Sequence, residues 1–311
     1  MLERVAALAP VNPFATPAYV AYRRQLGARC WVLGVERDEQ LVSACVAFMH
    51  AGHLNRRMEI TSVPELPHPE PFWRGLVELC ARRSVSQLAV GSFGSTSSSI
   101  PILPGEECRQ PRCELVIDLT QNDLRESLTT HHRRLIDRAG KRGLVIHRAT
   151  DRSACAMHAS LIQASMQRRE ERGEQVPHSV PYAEFLTMTE SGAGELFQAV
   201  TDGQVVSSMM VLRSARAGYM QTSGTSPLGM TCGASAWLFH HVARALQSEH
   251  LELFNLGGVR PNEEGLRRFK AGFGTRMIEL ESASFFLASP MKQAVSRVAR
   301  RLRQALGHKI L

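Results

Sequence analysis

The segment 30-CWVLGVERDEQLVSACVAFM-49 alternates apolar and polar residues on both sides of Asp38-Glu39, which predicts an antiparallel hairpin with an acidic turn. The same pattern returns later in the chain. Shifting residues 17–94 forward without a gap, so that Pro17 meets Pro181, sets Asp38 on Asp202 and Gln40 on Gln204. It also sets Val42-Ser43 on Val206-Ser207, Trp73 on Trp237 and Gly94 on Gly258. Both copies read helix, hairpin, strand, helix with Trp near its start, strand, glycine. An internal repeat decides the architecture before any single element does. The predicted fold is α/β with mixed (α+β) sheets, built as two similar units in tandem.

The expected divisions are 1–112 for an incomplete N-terminal unit and 113–280 for the C-terminal unit. Residues 281–311 are expected to form a strand plus a basic amphipathic helix that packs on the first unit. Around the repeat, MEITSV (58–63), LAVGSF (88–93), CELVIDL (113–119) and LVIHRA (144–149) read as strands, and 70–83 and 151–172 as helices. Residues 122–142 read as a basic helix with Asn122 as its N-cap, and 91–107 as a Ser/Gly/Pro-rich loop. Only the second copy is preceded by an extra strand and two helices, within 113–172. It is therefore the fuller unit and the candidate for the active one.

Composition narrows the class. The chain has 311 residues, 44% apolar and 21% charged. No apolar run reaches the roughly 18 residues of a membrane-spanning helix. MLERVAALAPVNPF does not read as a signal peptide. The seven cysteines show no paired spacing, which predicts a reducing, cytoplasmic setting and neither a zinc ribbon nor another metal site. The net charge of +8 is uneven. Lys292, Arg297, Arg300, Arg301, Arg303 and Lys309 crowd the tail 290–311, which has no acid, and 131-HHRRLIDRAGKRG-143 is a second basic cluster. Such clusters suit phosphate-bearing partners: tRNA, a nucleotide carrier, or anionic headgroups at the inner face of a membrane. They also suit plain solvated helix faces.

Two stretches carry candidate chemistry. In 222-TSGTSPLGMTCGASAWLFHHVARAL-246 a strand leads through a Ser/Gly/Pro loop to a helix start at Gly233, Ala234 and Ser235. Free N–H groups there would bind an anion such as a pyrophosphate. His240 and His241 lie about 100° apart on that helix and cannot share a metal. In 254-FNLGGVRPNEEGLRRFKAGFG-274 a buried strand runs out at Asn255, and Gly257 and Gly258 open the backbone at its C-terminal end. A short helix then carries Arg267, Arg268 and Lys270 as polar residues, with Leu266, Phe269 and Phe273 anchored in the core. GxSxG, HExxH and GxxxxGK[ST] are all missing from the sequence.

These stretches, with 131-HHRRLIDRAGKRGLVIHR-148, resemble the Fem family of aminoacyl-tRNA-dependent ligases and the wider BioF2-like acyltransferases of the GNAT superfamily. The resemblance covers roughly 115–280 and the first unit in outline. Its most specific part is RFKAGFG (268–274) after Gly257-Gly258; His132, Arg133, Arg134, Arg138, Lys141 and Gly143 match a basic helix of the family. The resemblance implies two GNAT-like units and an N-acyltransferase with Lys270 catalytic, near the donor ester and its phosphates. It implies carrier binding at Gly233, Ala234, Ser235, Asn255, Gly257, Gly258 and Arg268. No cofactor is required beyond the donor co-substrate, aminoacyl-tRNA or acyl-CoA. The place of the usual acyl-CoA loop, 228-LGMTCGA-234, lacks that loop's Gln or Arg. The acceptor is a small-molecule, peptide or sugar amine. Glu263, Glu264, His147 or a water relay is left as its base.

Three readings follow. The first is amine acylation from charged tRNA. The second is acyl-CoA-dependent acylation of an amino sugar or natural-product amine. The third is a non-catalytic RNA- or membrane-binding module, with Met291, Val295, Val298, Leu302 and Leu306 as one apolar face of the tail.

Overall fold

The computed structural model describes residues 1–288 except 52–55, 67–68, 97–98, 175, 177–179 and 261. The basic tail 290–311, with the amphipathic helix and membrane contact expected of it, lies outside the described residues. Among the described residues eleven strands form one mixed sheet: β1 Arg29–Arg37, β2 Gln40–Ala51, β3 Arg56–Ile60, β4 Val85–Val90, β5 Glu106–Asp118, β6 Val145–Ala149, β7 Gly194–Thr201, β8 Gln204–Arg213, β9 Ala217–Thr225, β10 Leu253–Val259 and β11 Arg276–Phe286. Their spatial order is β1-β2-β3-β4-β11-β5-β10-β9-β8-β7-β6. The helices are α1 Leu2–Leu8, α2 Pro17–Gln25, α3 Pro69–Arg82, α4 Thr130–Gly140, α5 Arg152–Glu171, α6 Tyr182–Glu190, α7 Pro227–Cys232, α8 Ala234–Ser248 and α9 Glu264–Ala271.

The repeat is real in space. The series α2-β1-β2-β3-α3-β4 recurs as α6-β7-β8-β9-α8-β10. Both hairpins turn through two left-handed residues, Asp38 and Glu39 (φ 50° and 63°) in one and Asp202 and Gly203 (φ 50° and 71°) in the other. That is the twist-matched two-residue turn, and Asp tolerates it through its short polar side chain. Trp73 and Trp237 are both buried one turn into their helices.

Each series is completed by a strand from elsewhere: β11 pairs with β4, and β5 pairs with β10. β5 and β11 then pair with each other along most of their length and join the halves. Both strands run through the divisions expected at 112/113 and 280/281. One core also crosses the middle: Phe14, Tyr19 and Phe48 of the first half pack in the same cluster as Phe185, Met210 and Tyr219 of the second.

Two local expectations change. The basic helix begins at Thr130, not near Asn122; Thr129 is its N-cap and accepts the His132 N–H. Residues 122–128 are occupied in burying Leu124 and Leu128 as non-helical chain. The loop after β9 contains a helix, α7, capped by Ser226 with Pro227 at its first position.

Candidate active site

β9 and β10 run parallel, and pair only at Ala217–Tyr219 against Leu253–Asn255. β9 continues to Thr225, while β10 bulges after Asn255 and carries Gly258 and Val259 over to β5. The two strands therefore stop pairing beyond Asn255, which makes the space between their ends the candidate cleft. The equivalent pair in the first half stays closed. β3 and β4 pair through Ile60 and Val90, and Gly91 N–H, Val63 N–H and Phe93 N–H continue the ladder beyond, to a bridge at Ser62 and Ser92.

The parting is built by local sequence. Gly257 is left-handed (φ 72°), and a Cβ there would stand 3.3 Å from the Met220 carbonyl. The Asn255 side chain stabilises the turn: its Oδ1 accepts the Gly257 N–H at 2.8 Å. Its Nδ2 donates to Glu114 Oε2 at 2.7 Å.

Glu114 is wholly buried. Besides Asn255 it accepts the Gly94 N–H (3.1 Å), the Tyr219 hydroxyl (3.0 Å) and Arg112 Nη2 (3.2 Å). A carboxylate without water needs such a set, because each unpartnered buried charge costs several kcal/mol. All four partners donate, as an ionised carboxylate requires. Burial and the Glu114 charge hold the Tyr219 hydroxyl well above its usual pKa. The Arg112 guanidinium lies 3.6 Å over the Phe93 ring. Glu114 was not singled out from the sequence. Its signal was an acid set between Cys113 and the apolar run Leu115-Val116-Ile117.

Lys270 projects from α9 into this region and is 3% exposed. Its Nζ donates to the Gly258 carbonyl at 2.8 Å. Burial pulls its pKa down from 10.5 to about 8, against the opposing pull of Glu263, Glu114 and Cys113. Of the residues expected to anchor α9 in the core, Leu266 is instead exposed, at 38%. α9 is anchored by Phe269 and Phe273, whose rings meet Phe239 of α8 and His132 of α4 at centroid distances of 4.6–5.4 Å. Gly272 lets that His132 ring lie directly against the chain, and its carbonyl accepts the Thr129 N–H at the mouth of α4. His132 matched the family's basic helix, yet it is buried, and burial lowers its pKa.

Asn255, Gly257, Gly258 and Lys270 are thus brought together. Arg268 lies on the exposed side of α9, with Arg267. Gly233, Ala234 and Ser235 form the junction of α7 and α8. Gly233 is left-handed (φ 80°), and the Leu135 carbonyl of α4 stands 3.2 Å from where its Cβ would be. Gly233 and Ala234 are buried and Ser235 half-buried, so α7 and α4 cover the helix start expected to be an open anion site. Among the candidate bases, His147 is on the edge strand β6, four strands from β10, or roughly 19 Å at the usual strand spacing. Glu263 accepts Arg169 at 3.1 Å and the Arg260 N–H at 2.9 Å, while Glu264 is exposed. No group of three metal-ligating side chains occurs among the described residues, and no helix among them is long and apolar enough to cross a membrane.

Residues 125–271 match the acetyltransferase (GNAT) domain family. The fold is similar to FemX (TM-score 0.72, 13% identity, 95% of this chain and 98% of that one). It is also similar to the C-terminal domain of a putative lysylphosphatidylglycerol synthetase from Agrobacterium fabrum (TM-score 0.58, 14% identity, 97% and 96%). A tandem GNAT protein from the clavulanic acid pathway shares the architecture (TM-score 0.54, 11% identity, 93% and 95%). No curated protein matches the sequence.

Proposed function

We propose that this chain, whose residues 125–271 belong to the acetyltransferase (GNAT) domain family, is an N-acyltransferase that takes an aminoacyl group from charged tRNA and joins it to an acceptor amine. The observation that carries the reading is the buried ammonium of Lys270 at the cleft where β9 and β10 part. The amine nitrogen attacks the ester carbonyl carbon. The C–O bond to the ribose breaks, an amide forms, and the proton lost by the amine ends on the leaving oxygen. Lys270, held by Gly258 and screened from water, stabilises the negative charge that develops on the carbonyl oxygen. Removing one such fixed donor typically slows a reaction by about 100- to 1000-fold. Holding ester and amine together in the cleft supplies much of the remaining rate.

The exposed bases of α4 and its C-cap (Arg133, Arg134, Arg138, Lys141) and of α9 (Arg267, Arg268) lie on adjoining helices beside the cleft and suit the phosphates of an RNA carrier. The covered start of α8 supports the same donor, because a CoA pyrophosphate would need it open. The parted parallel strands themselves favour a second reading, with acyl-CoA threaded between them. Incubating the protein with an amine and either charged tRNA or acyl-CoA, with and without RNase, separates the two. Transfer that survives RNase and needs only acyl-CoA overturns the tRNA donor.

A further inference from the structure

We infer that Glu114 is a positioning residue for Lys270, acting through Asn255 and the Gly257-Gly258 turn. This rests on the acyl-transfer reading of the cleft for its functional meaning. The path is continuous. The Gly94 N–H of the first half, the Tyr219 hydroxyl of β9 and Arg112 of β5 fix the carboxylate. The carboxylate fixes Asn255 Nδ2, and Asn255 Oδ1 fixes the Gly257 N–H. One residue further on, the Gly258 carbonyl receives the Lys270 ammonium. Gly257 in its left-handed conformation cannot hold this geometry by steric preference alone, since glycine is the most permissive residue. The Glu114–Asn255 pair supplies the restraint that the glycine lacks.

The same carboxylate acts on Lys270 by charge. The ionisable groups around the ammonium are Glu114, Cys113 and Arg112 of β5, Glu263 before α9 with its partner Arg169 of α5, and Tyr219 of β9. Two of these are carboxylates acting on a lysine that burial has already pushed toward neutrality. Taking away one of them moves the ammonium further toward the neutral amine. Glu114 thus sets both the place and the protonation of Lys270. It also ties the cleft to Gly94, where the first half's repeated strand–glycine segment ends.

The test is Glu114→Gln, which keeps size and removes charge. Lys270 is labelled with a trace amine-reactive reagent between pH 6 and 10 and read by mass spectrometry. The wild-type midpoint is expected at about 8. In the variant it is expected at least about half a unit lower. Transfer is expected to lose at least about 10-fold in kcat, with KM for the acceptor changed less than about 2-fold. A folded Glu114→Gln protein with an unmoved midpoint overturns the inference. Labelling needs no turnover, so this result is independent of whether the chain is an acyltransferase. If Glu114→Gln does not fold, Asn255→Ala leaves the carboxylate and its other three donors in place. It is expected to lower kcat with little change in the labelling midpoint; unchanged kcat in that variant overturns the path through Asn255.

Discussion

The Lys270 ammonium rests 2.8 Å from the Gly258 carbonyl, on the far side of a glycine turn from Asn255, and is almost wholly shut off from water. The fold bears a cost for this. With a folded pKa of about 8 against 10.5, the unfolded chain holds the proton more tightly than the folded one. The penalty is full below pH about 8, and stability rises with pH until about 10.5, where both states are neutral. Lys270→Met is therefore expected to gain about 2–3 kcal/mol at pH 7 and much less at pH 10. Urea midpoints at the two pH values measure it; a variant less stable than wild type at pH 7 contradicts the penalty.

Gly257 should resist substitution. It is left-handed, and its missing Cβ leaves room for the Met220 carbonyl at 3.3 Å. Gly257→Ala is expected to cost about 1–3 kcal/mol and to slow transfer, because relieving the strain moves the Gly258 carbonyl away from Lys270. Gly27 is also left-handed (φ 85°) but has open space around its Cβ position. Gly27→Ala should cost stability from strain alone and leave transfer per folded molecule unchanged.

The junction of α4 and α9 makes a prediction about coupling. A methyl on Gly272 would overlap the His132 ring, which is itself buried among Phe269 and Phe273. Gly272→Ala alone is expected to cost about 1–3 kcal/mol through overpacking. In the His132→Ala background the same substitution should cost clearly less, giving a coupling of about 1 kcal/mol or more. Additive losses in thermal unfolding of the four proteins would show that the two sites do not touch.

The repeat was legible because its marks are local. Asp38 and Asp202 turn hairpins, Trp73 and Trp237 fill helix faces, and both lie at fixed offsets along the chain. The strand–glycine–helix order around Asn255, Gly257, Gly258 and Lys270 was legible for the same reason. The burial of Lys270 was not, since helical spacing placed it beside Phe269 without saying that it would reach the Gly258 carbonyl of β10. Glu114 was hidden more deeply: its partners come from positions 94, 112, 219 and 255, which only the folded sheet assembles. The cover over the start of α8 was likewise tertiary, set by where α4 crosses it. Ser226-Pro227, an N-cap followed by proline at the first helical position, carried the signal for α7 that the loop reading passed over.

The central claim is that the Lys270 ammonium drives acyl transfer in the cleft between β9 and β10. The direct measurement is the single-turnover rate of amide formation from charged tRNA and an amine acceptor, compared between wild type and Lys270→Met at equal folded concentration. The account predicts a loss of about 100-fold or more in the rate of the bound complex, with a cooperative melting transition at or above the wild-type temperature. A Lys270→Met protein that transfers at the wild-type rate contradicts it.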